Sequence, residues 1–254
     1  MKILIVDIET APALSYVWQF YKTNIGADQV LTEGSIMSFA AKWLGEKEVF
    51  YYESQKHSEE WLLKKVVQLL DEADVVVAHN GDKFDMPKIR GRCLKHGIDL
   101  PSPYKQIDTC KVARKEFGFE ANSQQFLAGV LGCAPKQKHN KYPGFELWLE
   151  CLKGNKDAWR ELKEYNISDV LTLEQMYVKI RPYITNHPNA GVMAENGEIT
   201  CPKCGSTTNQ KRGHYHTTTG KYQRYQCTGC GGWHRSRYTE YPKDRRKVLT
   251  VNAV

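Results

Sequence analysis

The sequence predicts an α/β protein: a mixed sheet flanked by helices, followed by a small β module. Three observations predict it. Strand-like apolar runs come first, and strands and helical patterns then alternate to about residue 181. Four of the eight cysteines form two tight C-x2-C pairs near the C-terminus. The charge also changes character near residue 195. The chain carries a formal +7, and the segment from Glu195 onward holds 11 Lys and Arg against 4 Asp and Glu, so it carries the whole excess. These breaks divide the chain into a domain over residues 1–190 and a basic module over 195–254, with Asn189-Ala-Gly191 and Asn196-Gly197 as linker turns. At 41% hydrophobic residues the chain can bury a core. No apolar run approaches the roughly 18–20 residues of a membrane span. The N-terminus has no secretory pattern, so the expected compartment is the cytoplasm, where thiols stay reduced.

Taken in order, Ile3 to Val6 is a strand buried on both faces and ends in Asp7-Ile-Glu9-Thr10. Residues 11–34 are a long connection holding Tyr16, Trp18, Phe20 and Tyr21. Ile36 to Leu44 and Glu48 to Tyr52 are strands joined by a turn at Gly45, so the first three strands form a meander. Ser58 caps a helix whose first turn carries Glu59 and Glu60, and Leu62, Val66, Leu69 and Leu70 are its apolar face. Asp74 to Ala78 is a short buried strand ending at His79-Asn80-Gly81. A helix follows from Pro87 to Lys95, with Gly97 past its end. Ile107-Asp108-Thr109 leads into another helix, and Ser123 opens one that Gly132 closes. Asp157 to Arg181 is a long helix stopped by Pro182.

Side chains two apart on a strand point the same way, so Asp7 and Glu9 project together. Two carboxylates aimed at one point repel unless a hard cation such as Mg2+ or Mn2+ lies between them. Solvated acids at a strand end are the plainer alternative. Asp85 follows the Val75–Val77 strand, where it is either a site residue or a turn acid capping the next helix. Tyr165 and Asp169 are four apart and share one helix face, where they are either site residues or, more plainly, a surface acid beside a half-buried Tyr.

The order of these segments resembles the DEDD superfamily of 3′–5′ exonucleases, which share a ribonuclease H-like fold. Asp7-Ile-Glu9-Thr10 matches a first motif Asp-x-Glu at a strand end. Asn80 with Phe84-Asp85 matches the second. Tyr165-x3-Asp169 matches the third in its Tyr form, the subgroup that includes the proofreading domain of family B DNA polymerases. The His form is excluded because Glu164 stands where it needs His. The resemblance covers roughly residues 1–185 and implies a free-standing exonuclease that uses two Mg2+ or Mn2+ ions. It implies that Asp7 bridges both metals, that Glu9 and Asp169 complete one site, and that Asp85 supports the other through water. Tyr165, protonated at pH 7, orients the attacking water. Thr10, Asn80 and Phe84 contact the terminal nucleotide. The implied substrate is nucleic acid with a 3′ end, single-stranded, with DNA favoured.

Two further stretches bear on substrate. The loop from Pro135 to Tyr142 carries Lys136, Lys138 and Lys141 and either holds phosphates or is a solvated loop. The aromatic run from Tyr16 to Tyr21 either stacks on bases or wedges a duplex end, or else packs on the core. In the C-terminal module, Cys201-x2-Cys204-Gly and Cys227-x2-Cys230-Gly are two knuckles with 22 residues between them. Four thiolates suit a closed tetrahedral Zn2+, and the module resembles a zinc ribbon whose hairpin turns near Thr219-Gly220. Its tyrosines and Trp233 are interleaved with cations that include Lys211, Arg212 and Arg224. That mixture favours nucleic-acid binding over a role in solubility, with a replication or repair protein as the other partner. The rival readings of the whole chain are a nucleic-acid-binding module with an inactive site and an endonuclease on the same fold.

Overall fold

The computed structural model describes residues 1–134, 139, 141–194 and 197–253. The chain separates into two compact units, Met1–Tyr177 and Val178–Val254.

In the first unit, β1 (Ile3–Thr10) runs four residues past the apolar stretch and takes Asp7 and Glu9 into the strand itself. The long connection contains a small antiparallel pair, β2 (Leu14–Ser15) and β3 (Val30–Thr32). Strands this short leave no period to detect. Next come β4 (Ile36–Trp43), β5 (Phe50–Glu53), α1 (Glu59–Asp71), β6 (Val75–Ala78), α2 (Asp85–Lys95) and β7 (Lys105–Asp108). The remaining helices are α3 (Thr109–Glu116), α4 (Gln124–Val130), α5 (Glu146–Leu152) and α6 (Lys156–Ile180). The expected caps are present: Ser58 accepts from Trp61 N and Ser123 from Phe126 N. Helix α2 starts two residues before Pro87, so Asp85 is its first residue rather than a turn acid.

The five-stranded sheet has the order β5-β4-β1-β6-β7. Strands β5, β4 and β1 are antiparallel neighbours, as the meander requires, while β1–β6 and β6–β7 pair in parallel. It is a mixed α/β sheet of ribonuclease H-like form, and β1 is its middle strand. The alternation along β1 sorts its side chains. Leu4, Val6 and Ile8 enter a core with Leu62, Leu63 and Val66 of α1 and Met86 and Ile89 of α2. The opposite face, with Ile5, Asp7 and Glu9 opposite Lys42, Ala40 and Ser38, looks toward α6. A buried ion pair, Lys42 Nζ to Glu174 Oε1 at 2.7 Å, fastens β4 to α6.

The second unit contains the end of α6 and a three-stranded antiparallel sheet ordered β10-β9-β8. Its strands are β8 (Asn209–His216), β9 (Lys221–Cys227) and β10 (Trp233–Arg235), with a short α7 (Lys243–Lys247) after them. The β8–β9 turn closes by Thr217 N donating to Gly220 O at 2.9 Å, at the expected place. Among the described residues no helix is long and apolar enough to cross a membrane.

Candidate active site

Asp7, Glu9 and Asp169 each bring one carboxylate oxygen to a common point, with all three oxygens within 4.8 Å of one another. Asp7 and Glu9 arrive from β1 and Asp169 from α6, where it is almost wholly buried. Tyr165 lies one helical turn before Asp169, and both line a cleft of about 720 Å3 with Asp7, Glu9, Asn80 and Asp85. The five acidic-site residues legible in the sequence therefore share one cavity.

Neutral N–H groups hold three of these carboxylates. Asn166 Nδ2 donates to Asp7 Oδ2 at 2.7 Å, and its own Oδ1 accepts from Ser38 Oγ at 3.1 Å. The indole Nε1 of Trp148, on α5, donates to Glu9 Oε2 at 3.1 Å. The backbone N of Ile8, between the two β1 acids, donates to Asp85 Oδ1 at 3.2 Å. Neutral donors of this kind fix the orientation of a carboxylate without adding a positive charge. The donors are hard oxygens, three of them converge, and two elements bring them together, so the set fits Mg2+ or Mn2+. Asp85 lines the same cleft but is not one of the converging three. Burial pushes its carboxyl up to about 7, with the Asp108 carboxylate adding to the rise against the Ile8 N–H.

The turn that presents Asp85 is tightly built. Asn80 adopts φ +62, a left-handed conformation that Asn tolerates better than most residues. A Cβ on Gly81 would lie 2.4 Å from the Ala78 Cβ, so the chain can pass there only as glycine. Asp108 at the end of β7 accepts from Asn80 N at 2.9 Å and Asp82 N at 3.3 Å, and also caps α3. Phe84, 38% exposed, stands at the cleft wall beside Asn80. Thr10 ends β1 just past a bulge opposite β4. Tyr165 is flanked edge-on by Trp148 and His139, with ring centroids 6.1 and 5.4 Å away.

Sequence reasoning missed Ser38, Trp148 and Asn166. Asn166 had a signal: Leu162, Asn166, Val170, Leu173 and Tyr177 form one fully buried helix stripe, and Asn is its only polar member. Asn166→Ala is expected to weaken Mg2+ or Mn2+ binding by about 10–100-fold, the usual effect of losing a partner of a ligand. Calorimetric titration of the cation into the intact chain checks this, and an unchanged isotherm would remove Asn166 from the site.

Of the loop cations, Lys141 is engaged with Asp157 at 2.7 Å, while Lys136 and Lys138 lie outside the described residues. The four cysteine sulfurs of the second unit lie within 4.8 Å of one another. Cys201–Cys230 and Cys204–Cys227 are 3.8 and 3.6 Å apart. A disulfide would bring sulfurs to about 2.05 Å, whereas thiolates about 2.3 Å from a tetrahedral zinc lie roughly 3.8 Å apart. The knuckles also repeat one backbone pattern: Gly205 N donates to Cys201 O and Gly231 N to Cys227 O, with both glycines at positive φ. The cluster fits a small zinc-ribbon module. Lys211 and Arg212 are exposed on β8, whereas the Arg224 guanidinium lies 4.9 Å from the centre of the Trp233 ring.

Residues 30–181 match the RNase_H_2 family of the RNase_H superfamily, and the chain belongs to that superfamily. The matched span carries Asp85, Tyr165 and Asp169. Asp7 and Glu9 precede it and reach the site through β1. A DNA polymerase of Methanocaldococcus jannaschii is 42% identical over 43 residues, 17% of this chain and 3% of that one. Among solved structures, the family B DNA polymerase from the hyperthermophilic archaeon Pyrobaculum calidifontis superposes with a TM-score of 0.55 at 15% identity. That match covers 71% of this chain and 24% of the polymerase, so the chain corresponds to only a fraction of either relative's length.

Proposed function

We propose that this chain is a metal-dependent 3′–5′ exonuclease of the Tyr-containing DEDD group. It hydrolyses phosphodiester bonds, with single-stranded DNA favoured, and its zinc ribbon helps hold the strand. The convergence of Asp7, Glu9 and Asp169 in one cleft with Asp85 and Tyr165 carries this reading. Two divalent cations, when bound, acidify water and neutralise charge on the phosphate and leaving oxygen. Asp7, Glu9 and Asp169 would hold these cations, with Asp7 the carboxylate that would serve both and Asp85 the one that would support the second. The Tyr165 hydroxyl orients the attacking water, and the Trp148 and His139 edges limit where its ring can go. Asn80 holds the terminal nucleotide, with Phe84 and Thr10 beside it. Residues 1–190 carry the chemistry. Residues 195–254 carry the strand-holding cations, Lys211, Arg212 and Arg224 among them.

In Mg2+ or Mn2+, a linear strand labelled at its 3′ end is expected to release its label as mononucleotide at once, while a circular strand of the same sequence survives. Matched DNA and RNA strands fix the sugar preference. Cutting of the circle would make the chain an endonuclease, and binding without hydrolysis would make it a binding module with an inactive site.

A further inference from the structure

The loop between β2 and β3 presents four aromatic rings to water. Tyr16, Trp18, Phe20 and Tyr21 are 73%, 98%, 93% and 85% exposed, so packing on the core does not explain the run. The loop is closed and organised rather than frayed. Leu14 pairs with Thr32 and Ser15 with Val30 at its base. Tyr16 N donates to Gln29 O at 3.0 Å, and Gln29 Nε2 returns a bond to Tyr16 O at 3.2 Å. Near the tip, Thr23 Oγ1 donates to Gln19 O at 2.7 Å. Folded proteins seldom leave four large rings of one short loop uncovered unless something binds them.

The chemistry of the patch selects its occupant. Lys22 is the only charged residue from Ala11 to Ala27, so the loop is no phosphate clamp. Its contact surface is a set of flat rings, and every nucleobase offers a flat π face that stacks on such rings whatever its sequence. The loop also springs from the catalytic strand. Tyr16 is six residues beyond Thr10, within about 20 Å by chain extension.

We propose that the Tyr16–Tyr21 loop is a stacking platform for the unpaired bases of the strand whose 3′ end enters the acidic cleft. This rests on the nuclease reading and adds a way of gripping the strand that is independent of its phosphates.

The test uses the full chain with Ca2+ in place of Mg2+, and two single-stranded oligonucleotides of equal length, one normal and one abasic throughout. Trp18→Ala/Phe20→Ala, with its folding checked by thermal melting, is expected to bind the normal strand on the order of 100-fold more weakly, about tenfold for each ring. Binding to the abasic strand should be unchanged, and so should the salt dependence on either strand. Equal losses on both strands, or none on either, would overturn the platform. In that case a protein partner or a second copy of the chain becomes the occupant. Mg2+-dependent nucleotide release by the wild-type chain is measured beside it. Release with unchanged binding of the variant sinks the platform alone. Base-dependent binding without release sinks the nuclease reading and keeps the platform. Neither release nor base-dependent binding sinks both.

Discussion

Replacing Asp7 with Asn is expected to reduce nucleotide release about a thousandfold or more while the fold persists. The substitution keeps the shape and the Asn166 contact region but removes one of three converging negative charges. Cation-based stabilisation of a phosphoryl transition state is worth several kcal/mol. At about 1.36 kcal/mol per factor of ten, that amounts to roughly three decades of rate. The folded state should be as stable as the wild type or more so in the absence of metal, because clustered carboxylates repel one another. Single-turnover hydrolysis of a 3′-labelled strand and a thermal melt with and without Mg2+ check both halves. Wild-type hydrolysis by the variant would remove Asp7 from the chemistry. A collapsed melting temperature would mean that Asp7 has a structural role.

The second large effect is expected at the cysteine cluster. Among the described residues after residue 194, the buried hydrophobic side chains are Cys201, Tyr225 and Cys227, so the ribbon has almost no apolar core of its own. A structural zinc supplies about 10–16 kcal/mol of apparent binding free energy in modules of this kind, far more than three side chains provide. Cys201→Ser is therefore expected to lose zinc and disorder the three-stranded sheet, leaving Asp7, Glu9 and Asp169 in place. Each phosphate contact on a single strand contributes about 0.7 to the salt slope of affinity, so losing Lys211, Arg212 and Arg224 together should flatten the slope by about 2. Zinc content by elemental analysis and strand affinity across a salt series measure this. If zinc is lost and the slope stays the same, the ribbon serves a protein partner instead.

The sheet was legible because its elements leave periodic or capping signatures, whereas Asp85, Tyr165 and Asp169 were legible through the order of their motifs. Period-two placement gave Asp7 and Glu9 one face, and Ser58 and Ser123 marked helix starts that the hydrogen bonds reproduce. What stayed hidden acts through single contacts between distant residues. Ser38 and Trp148 matter because of where β4 and α5 are carried by the rest of the fold, and no local spacing encodes that. The β2–β3 pair is too short for a period, and the exposure of the Tyr16–Tyr21 rings depends on what the fold leaves uncovered. Asn166 was readable in principle as a polar residue inside an apolar stripe.

The partners Asp7 and Asn166 are 159 positions apart, and the sheet that carries Asp7 pairs β1 in parallel with β6 across an intervening meander and helix. Contacts of such long sequence separation form late and slowly, since the chain must close large loops before they reward it. During synthesis the ribosome releases β1 first and α6 long afterwards, and domains fold as units once complete. A half-made chain thus carries its first two acids without the helix that completes their cluster. On the proposed exonuclease reading, competence for hydrolysis would therefore await the translation of α6.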